Sequence, residues 1–309
     1  MKISAFSYVR NGLTMGYPFL ESIQSVLPIV DEFIMVVGDS TDGTREAILK
    51  LSPKIKIIDT VWDMKLRTGG KIFAQQANLG LDDATGDWII HIQADEVIHE
   101  QDIEVLKQYI VDLDKETKIE GFLFPFLNFH GDYNHIHTGR TAHRYEIRAF
   151  RKNSGIRSFK DSQGFRKFSS REGYDAGETG KKLKVIKIDV PMYHYSYVRP
   201  PRKMKEKSEH FTSFWVNDEG LQKIFKGVEE FDYNNVDKLE IFTGTHPALM
   251  QEAIRKKDWD FTYQPDKNYT SIRHRILNKI EDWTGYRLGE YKNYKLIGAI
   301  SRTRENRIK

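Results

Sequence analysis

Hydrophobic and polar positions along the N-terminal third of the chain predict strands and helices in alternation. Short apolar stretches predict β-strands at residues 3–9, 33–37, 55–58 and 88–92. Apolar side chains spaced three or four residues apart predict helices over residues 18–27, 44–51, 71–81 and 101–113. Strands that alternate with helices in this way are typical of a parallel sheet covered by helices.

The pattern changes in the rest of the chain. Further strands, separated by loops rich in His, Arg and Gly, are predicted at residues 122–129, 145–150 and 184–190. From residue 200 onward the chain is polar and its apolar spacing is mostly helical. We therefore expect an α/β fold, with a mixed sheet flanked by helices over residues 1–200 and a helical C-terminal extension over 201–309. No linker rich in Pro, Gly or Ser marks a sharper boundary.

Composition and charge narrow the class of protein. The 309 residues are 39% hydrophobic and 12% aromatic, which excludes wholesale disorder. There is no cysteine, so a disulfide scaffold, a thiolate zinc site and a cysteine nucleophile are excluded, and a reducing, cytoplasmic location is expected. The charged start of the chain does not resemble a signal peptide. The longest apolar runs are far shorter than the roughly 20 residues that span a bilayer.

Polar segments follow three of the predicted strands, where an open α/β sheet binds its ligands. They are residues 8–11, 38–44 and 93–96. Gly, Asp, Ser and Thr in the second segment are also what an ordinary strand-to-helix turn contains. The third segment places two carboxylates, Asp95 and Glu96, directly after an apolar strand. Either they bind a hard divalent cation such as Mg²⁺ or Mn²⁺, or they stabilise the N-terminus of the following helix.

These segments resemble the donor-binding half of family 2-type glycosyltransferases, which have the GT-A fold. The resemblance rests on residues 31–44, 78–87 and the strand that ends at Asp95 and Glu96. A narrower bacterial-type subgroup is similar at residues 93–100, 161–166 and 193–199, so that the likeness covers residues 1–200. It implies a nucleotide-sugar-binding half over 1–115 and an acceptor and catalytic half over 116–200.

The resemblance also implies roles for individual residues. Asp95 matches the last acid of the family's Asp-x-Asp motif and would bind Mn²⁺ or Mg²⁺, with Gln93 at the position of the first acid. His194 would be a second metal ligand, although residues 193–197 also read as a plain alternating strand. Donor contacts are expected from residues of the strand ends, the third helix and the 193–199 segment, namely Val9, Arg10, Asp39, Ser40, Asp42, Lys71, Gln93 and Arg199.

An inverting sugar transfer needs one carboxylate as general base. Asp161 is the first choice because it lies in the segment that resembles the subgroup, and Glu172 is the second. Helix capping is an equally good interpretation of Asp161. Arg144, Arg148 and Arg151 form a basic stripe that would contact an anionic ligand or remain solvated on a strand edge.

The expected function is transfer of a sugar from a UDP- or GDP-type donor to a saccharide or lipid-linked acceptor. An inactive scaffold that binds the donor is the main alternative. A basic nucleic-acid-binding protein ranks lower, because aromatic and basic residues are not interleaved. Residues 271–309 carry ten Lys and Arg against four Asp and Glu. With Trp283, Tyr286, Tyr291 and Tyr294 among them, this tail is a candidate for peripheral contact with a membrane.

Overall fold

Strand β1 (Ile3–Val9) lies inside a mixed sheet and pairs in parallel with β2 (Glu32–Val37) and β4 (Trp88–His91). On the outer side of β2, β3 (Ile55–Asp59) adds a further parallel strand. The carboxyl ends of these strands therefore reach one edge of the sheet. The structure is a computed structural model that describes residues 1–153, 155–162, 164–267 and 271–302.

Later strands complete the sheet on the other side of β4. They are β5 (Glu96–Ile98), β6 (Gly121–His130), β7 (His135–His137), β8 (Tyr145–Arg151), β12 (Lys184–Lys187), β13 (Met192–Tyr197), β14 (Leu239–Ile241) and β15 (Lys295–Ala299). Antiparallel β8 pairs with β4, and β6 pairs with β8. Both β12 and β13 join β6, and β13 also holds β5. A separate small sheet contains β9 (Ile156–Ser158), β10 (Phe165–Lys167) and β11 (Lys181–Lys182).

The helices cover both faces of this sheet. They are α1 (Phe19–Val26), α2 (Thr44–Leu49), α3 (Lys71–Asp83), α4 (Glu100–Asp112), α5 (Arg171–Asp175), α6 (Pro201–Thr212), α7 (Asp218–Phe225), α8 (Gln251–Arg255) and α9 (Ile272–Thr284). Side chains of β1 alternate between the faces: Ile3, Ala5 and Val9 pack with α1 and α4, whereas Phe6 packs with α3. The predicted mixed α/β sheet flanked by helices is confirmed.

The C-terminal part differs in one respect from the predicted helical extension. Besides α6 to α9 it contains two strands of the main sheet, because β14 pairs with β7 and β15 pairs with β12. Both strands are short, and every residue of β15 is exposed, so neither shows the apolar alternation that identifies a half-buried strand. The boundary at residue 200 remains a prediction. No helix among the described residues has the length and apolar character needed to cross a membrane.

Candidate active site

Asp95 lies at the carboxyl edge of the sheet, between β4 and β5, with its carboxylate buried. Its backbone is held by β13, since the Tyr195 N–H donates to the Asp95 carbonyl at 2.8 Å. The Asp95 Oδ1 atom is 3.8 Å from His194 Nε2, and its Oδ2 atom is 3.6 Å from Lys207 Nζ. Burial raises the pKa of Asp95, but the charges of His194, Lys207 and Arg199 lower it below the ordinary value. The carboxylate is therefore ionised at neutral pH.

The hydrogen bonds around His194 determine which ring nitrogen carries the proton. The Asn128 side-chain amide donates to the His143 carbonyl at 2.7 Å, which turns its Oδ1 atom toward His194 Nδ1 at 2.9 Å. Oδ1 can only accept, so Nδ1 carries the proton and donates. Burial lowers the pKa of His194, which favours the neutral ring. The lone pair of His194 Nε2 thus faces the Asp95 carboxylate.

Two electron-pair donors that face each other at 3.8 Å fit a cation between them. A carboxylate oxygen and an imidazole nitrogen are ligands that Mn²⁺ accepts readily and Mg²⁺ less so. Among the described residues there is no cluster of three or more His, Cys, Asp or Glu side chains able to hold a metal. Asp95 and His194 are therefore the two residues that could hold a metal ion here.

Two buried cations lie beside Asp95. Lys207, on α6, donates through Nζ to the carbonyl and the hydroxyl of Ser196, both at 2.7 Å. Burial lowers the pKa of Lys207 to about 7. The Arg199 guanidinium donates to the Gly16 carbonyl at 3.3 Å, and its Nε and Nη1 have no hydrogen-bond partner within the described parts of the chain. Both cations pack against the Tyr17 ring, at 5.1 and 5.3 Å from its centroid.

A second part of the site is the loop region after β1 and β2. The Arg10 guanidinium donates to Asp39 at 2.9 Å and lies over the Trp62 ring. Ser40 and Asp42 join the two loops, because they accept from the Asn11 and Thr14 N–H groups at 2.9 and 2.7 Å. A depression of about 240 Å³ opens here, lined by Val37, Gly38, Asp39, Ser40, Arg45, Asp59, Thr60 and Val61.

Gly38, the first residue after β2, has no room for a side chain. A Cβ atom there would lie 2.5 Å from Trp62 Nε1. Trp62 packs in turn on Phe73 and Phe214, with ring centroids 5.9 and 5.4 Å apart. Asp39 is therefore the first acidic side chain after β2 that can reach the depression.

Three predicted donor contacts serve other purposes or lie elsewhere. The Val9 side chain is in the core, and its carbonyl accepts from the Gly38 N–H at 2.8 Å. Lys71 is exposed at the first residue of α3. Gln93 is half-buried, and its backbone N–H donates to Glu96 at 3.1 Å. Among the predicted residues, Asp95, His194 and Arg199 come together at one place, and Arg10, Asp39, Ser40 and Asp42 at another.

Comparison with known proteins identifies the family of the chain. The sequence profile of Glycosyl transferase family 2 matches residues 18–172, half of the chain. The chain belongs to this family. No curated protein matches it in a sequence comparison.

Solved structures similar to this family 2 glycosyltransferase share little sequence with it. A crystal structure of TarS 1–349 from S. aureus is 16% identical with a TM-score of 0.40, and the match covers 72% of this chain and 69% of that one. Glucosyl-3-phosphoglycerate synthase from Mycobacterium tuberculosis, in complex with Mn²⁺, UDP and glucosyl-3-phosphoglycerate, is 17% identical with a TM-score of 0.28. That match covers 40% of this chain and 43% of the synthase.

The two carboxylates predicted as general base are placed very differently in the glycosyltransferase. Asp161 lies between two residues with left-handed backbone, Lys160 and Ser162, and packs so closely on Gly70 that a Cβ there would be 2.7 Å from its own. The charges of Asp161 and Asp95 both add to the effect of burial in raising the pKa of Tyr8. Glu172 is exposed on α5, where hydrogen bonds from its own backbone and Ser170 lower its pKa. Asp161 is therefore closely packed, whereas Glu172 is exposed, and the choice of Asp161 as general base stays a prediction.

In the glycosyltransferase, all three arginines of the predicted basic stripe form ion pairs. Arg148 binds Glu96 through Nε and Nη2 at 2.8 and 2.6 Å, with both side chains buried. Arg144 pairs with Glu290 at 2.7 Å and Arg151 with Asp114 at 3.2 Å. Sequence reasoning missed this use of the stripe, and it also missed Lys207 and Tyr17, because no local pattern distinguishes them from surface residues.

Proposed function

We propose that this glycosyltransferase moves a sugar from a UDP- or GDP-type donor to an acceptor hydroxyl by a single inverting displacement that depends on Mn²⁺ or Mg²⁺. The observation that supports this most directly is the pair of facing lone pairs on Asp95 and His194, with Lys207 and Arg199 beside them. Such a group has the charges and ligand atoms that one divalent ion and a diphosphate need.

Asp95 and His194 would hold the metal ion. An ion held there would supply positive charge to the departing diphosphate. Arg199 has nitrogen donors to spare in a buried position, and it would bind the diphosphate oxygens. Lys207 adds a second positive charge, already fixed by Ser196 before any ligand arrives. Preorganised charges of this kind stabilise a transition state without reorganisation.

The nucleotide would occupy the depression after β2 and β3, next to Asp39 and the Arg10 guanidinium. Asp161 would act as general base: it takes the acceptor proton while the acceptor oxygen bonds to the anomeric carbon and the carbon–oxygen bond to the diphosphate breaks. Asp161 and Asp95 both contribute to the raised pKa of Tyr8, and this supports the role of Asp161 over that of the exposed Glu172. The acceptor, a saccharide or a lipid-linked sugar, remains a prediction, as does a cytoplasmic location.

The test is a thermal-shift panel of UDP, GDP, CMP and dTDP, each with and without Mn²⁺, on the wild type and on Asp95→Asn. A ligand at 100 times its Kd stabilises the native state by about 2.7 kcal/mol, which is a measurable rise in Tm. We expect one nucleotide to raise Tm only with Mn²⁺, and Asp95→Asn to abolish the rise. The exposed Glu172→Gln variant is the control and should respond as the wild type does.

Turnover of the matching nucleotide sugar separates an enzyme from the inactive scaffold that the sequence left open. Asp161→Asn should lower kcat about a thousandfold while nucleotide binding persists, because a positioned base contributes on the order of 10²–10⁴ in rate. Glu172→Gln should change kcat less than about twofold, as is usual for a surface change away from the site. Metal-dependent binding without any turnover of the wild type would favour the scaffold.

A further inference from the structure

The outer face of α9 (Ile272–Thr284) is apolar and exposed. Ile272, Ile276 and Trp283 are 76%, 54% and 89% exposed. At 100° per residue they fall within about 40° of one another around the helix axis, and they extend over about 16 Å of its length. The three side chains therefore form one continuous stripe, which is here called the α9 stripe.

The opposite face of α9 is attached to the protein by ion pairs. Glu281, opposite the stripe, binds Arg140 and Arg287 at 3.0 and 2.8 Å. Asp282, about 80° from the edge of the stripe, binds Lys238 at 2.8 Å. A surface helix normally turns its apolar stripe to the core and its charges to water. In α9 this arrangement is reversed, and the buried Arg287 keeps the helix from rotating.

Positive charge accompanies the α9 stripe. Lys279 lies about 20° from its edge and Arg273 about 60° from the other edge, on the helical geometry above, and both are exposed. Tyr286 and Leu288, just beyond the helix, are exposed as well. Exposed tryptophan and isoleucine flanked by lysine and arginine are the composition of helices that lie in the interface of an anionic membrane.

We propose that the α9 stripe docks this protein on an anionic lipid surface, with α9 lying in the plane of the membrane. Charge complementarity favours lipid over a second copy of the chain, because two stripes in contact would bring Lys279 and Arg273 of both copies together. The proposal does not rest on the proposed function, since it uses no residue of the candidate active site. It also refines the expectation for the tail, where Tyr294 packs on the core and Tyr291 binds Arg166.

Sedimentation with phosphatidylcholine vesicles, with and without phosphatidylserine, tests the proposal on the full chain. We expect the wild type to pellet with the anionic vesicles at low salt. Trp283→Ala should weaken this binding about tenfold or more, since a large side chain is then no longer buried in lipid. Removal of one cation in Lys279→Ala should weaken it about fivefold. Ile224→Ser is the control for Ile276→Ser, because Ile224 is 52% exposed on the surface of α7.

Tryptophan emission reports directly on the stripe. Trp62 and Trp88 are buried, so a blue shift on addition of anionic vesicles is expected to come mainly from Trp283. Trp283→Phe should keep the protein on the vesicles but remove most of the shift. The proposal is overturned if the wild type stays in the supernatant, or if Trp283→Ala and Ile276→Ser bind as well as Ile224→Ser does. It is also overturned if sedimentation velocity without lipid shows a dimer of the wild type that the stripe variants convert to monomers.

Discussion

Asp95 and Glu96 are neighbours in sequence and both are buried, but their surroundings differ. Glu96 receives two short hydrogen bonds from Arg148, at 2.6 and 2.8 Å, and a third from the Gln93 N–H at 3.1 Å. Asp95 faces His194 and Lys207 at 3.8 and 3.6 Å, beyond the length of those bonds. One carboxylate is fully neutralised by the protein, whereas the other stands among charges that leave space between them.

The difference separates a structural ion pair from a binding site. A carboxylate with an arginine in bidentate contact has no capacity left for a ligand, and its role is to hold β5 against β8. A buried carboxylate at longer distances from two cations and a neutral imidazole is incompletely solvated by protein. Removing the partner of Glu96 should therefore reduce the stability of the fold. Removing a neighbour of Asp95 should instead reduce ligand binding.

Arg148→Met should produce the largest effect, on the free energy of unfolding. It leaves the Glu96 carboxylate buried without its cation, which should cost about 4 kcal/mol. Urea denaturation followed by circular dichroism measures the loss. The double variant Glu96→Leu/Arg148→Met should recover most of it, because an apolar pair of similar volume is often as stable as the ion pair. A cost below about 1 kcal/mol in the single variant would mean that the pair has no structural role.

Lys207→Met should change catalysis more than stability. The variant loses a buried charge that a diphosphate would neutralise, so kcat/KM for the nucleotide sugar should fall about a hundredfold. Its Tm should fall less than that of Arg148→Met, because the Lys207–Asp95 distance is 3.6 Å and Arg199 also lowers the pKa of Asp95. Lys203→Met, on the same helix but 58% exposed, is the matched control and should retain full activity. A fall in Tm with unchanged kcat/KM would place Lys207 with Arg148 as a structural cation.

Glu146 interacts with the Glu96–Arg148 pair. It should have a smaller effect on the free energy of unfolding, and this effect depends on pH. Burial raises its pKa to about 7; Arg148 opposes this, whereas Glu96 and Asp161 add to it. The folded state then holds a proton that the unfolded state releases, so the protein loses stability as the pH rises from about 4.5 to 7. In Glu146→Gln this loss is absent. The variant should gain about 2 kcal/mol relative to the wild type between pH 4 and pH 8, measured by urea denaturation at both values.

An equal difference between the two proteins at pH 4 and pH 8 would contradict the raised pKa of Glu146. Lys152 is exposed directly after β8, the strand that contains Glu146, and Lys152→Met should show no such pH dependence.

Much of the fold could be predicted, because the local spacing of apolar residues identifies the strands and helices in the first half of the sequence. Residues 33–37 are a continuous apolar run and residues 3–9 are mostly apolar, and both are central strands of the sheet. By contrast, two of the three residues of β14 and all five residues of β15 are exposed, and these segments become strands only because β7 and β12 offer a free edge. Such pairing is a tertiary effect that no local pattern contains.

Part of the candidate site could be predicted, because the ends of the strands converge at one edge of the sheet. Asp95 and His194 meet because β13 lies antiparallel to β5, with His194 opposite Glu96. Lys207 could not be predicted: it is one of several lysines in a polar helix, and only the packing of α6 over the sheet edge buries it. The Arg148 prediction was incomplete for the same reason, since its partner Glu96 lies 52 residues away in the chain.

Asn128 gives the most selective way to sharpen the comparison, because it acts on Asp95 only through His194. Its Oδ1 atom accepts from His194 Nδ1 and so keeps the Nε2 lone pair toward Asp95. Asn128→Ala should weaken Mn²⁺ binding in the presence of the preferred nucleotide about tenfold, the lower end of the usual effect of a residue that orients a metal-binding histidine. Asn128→Asp retains an acceptor and loses only the donor to the His143 carbonyl, so it should bind Mn²⁺ more tightly than Asn128→Ala. Titration of free Mn²⁺ by electron paramagnetic resonance measures both. If Asn128→Ala binds Mn²⁺ like the wild type, His194 is not a metal ligand, and the space beside Asp95 belongs to the cations alone.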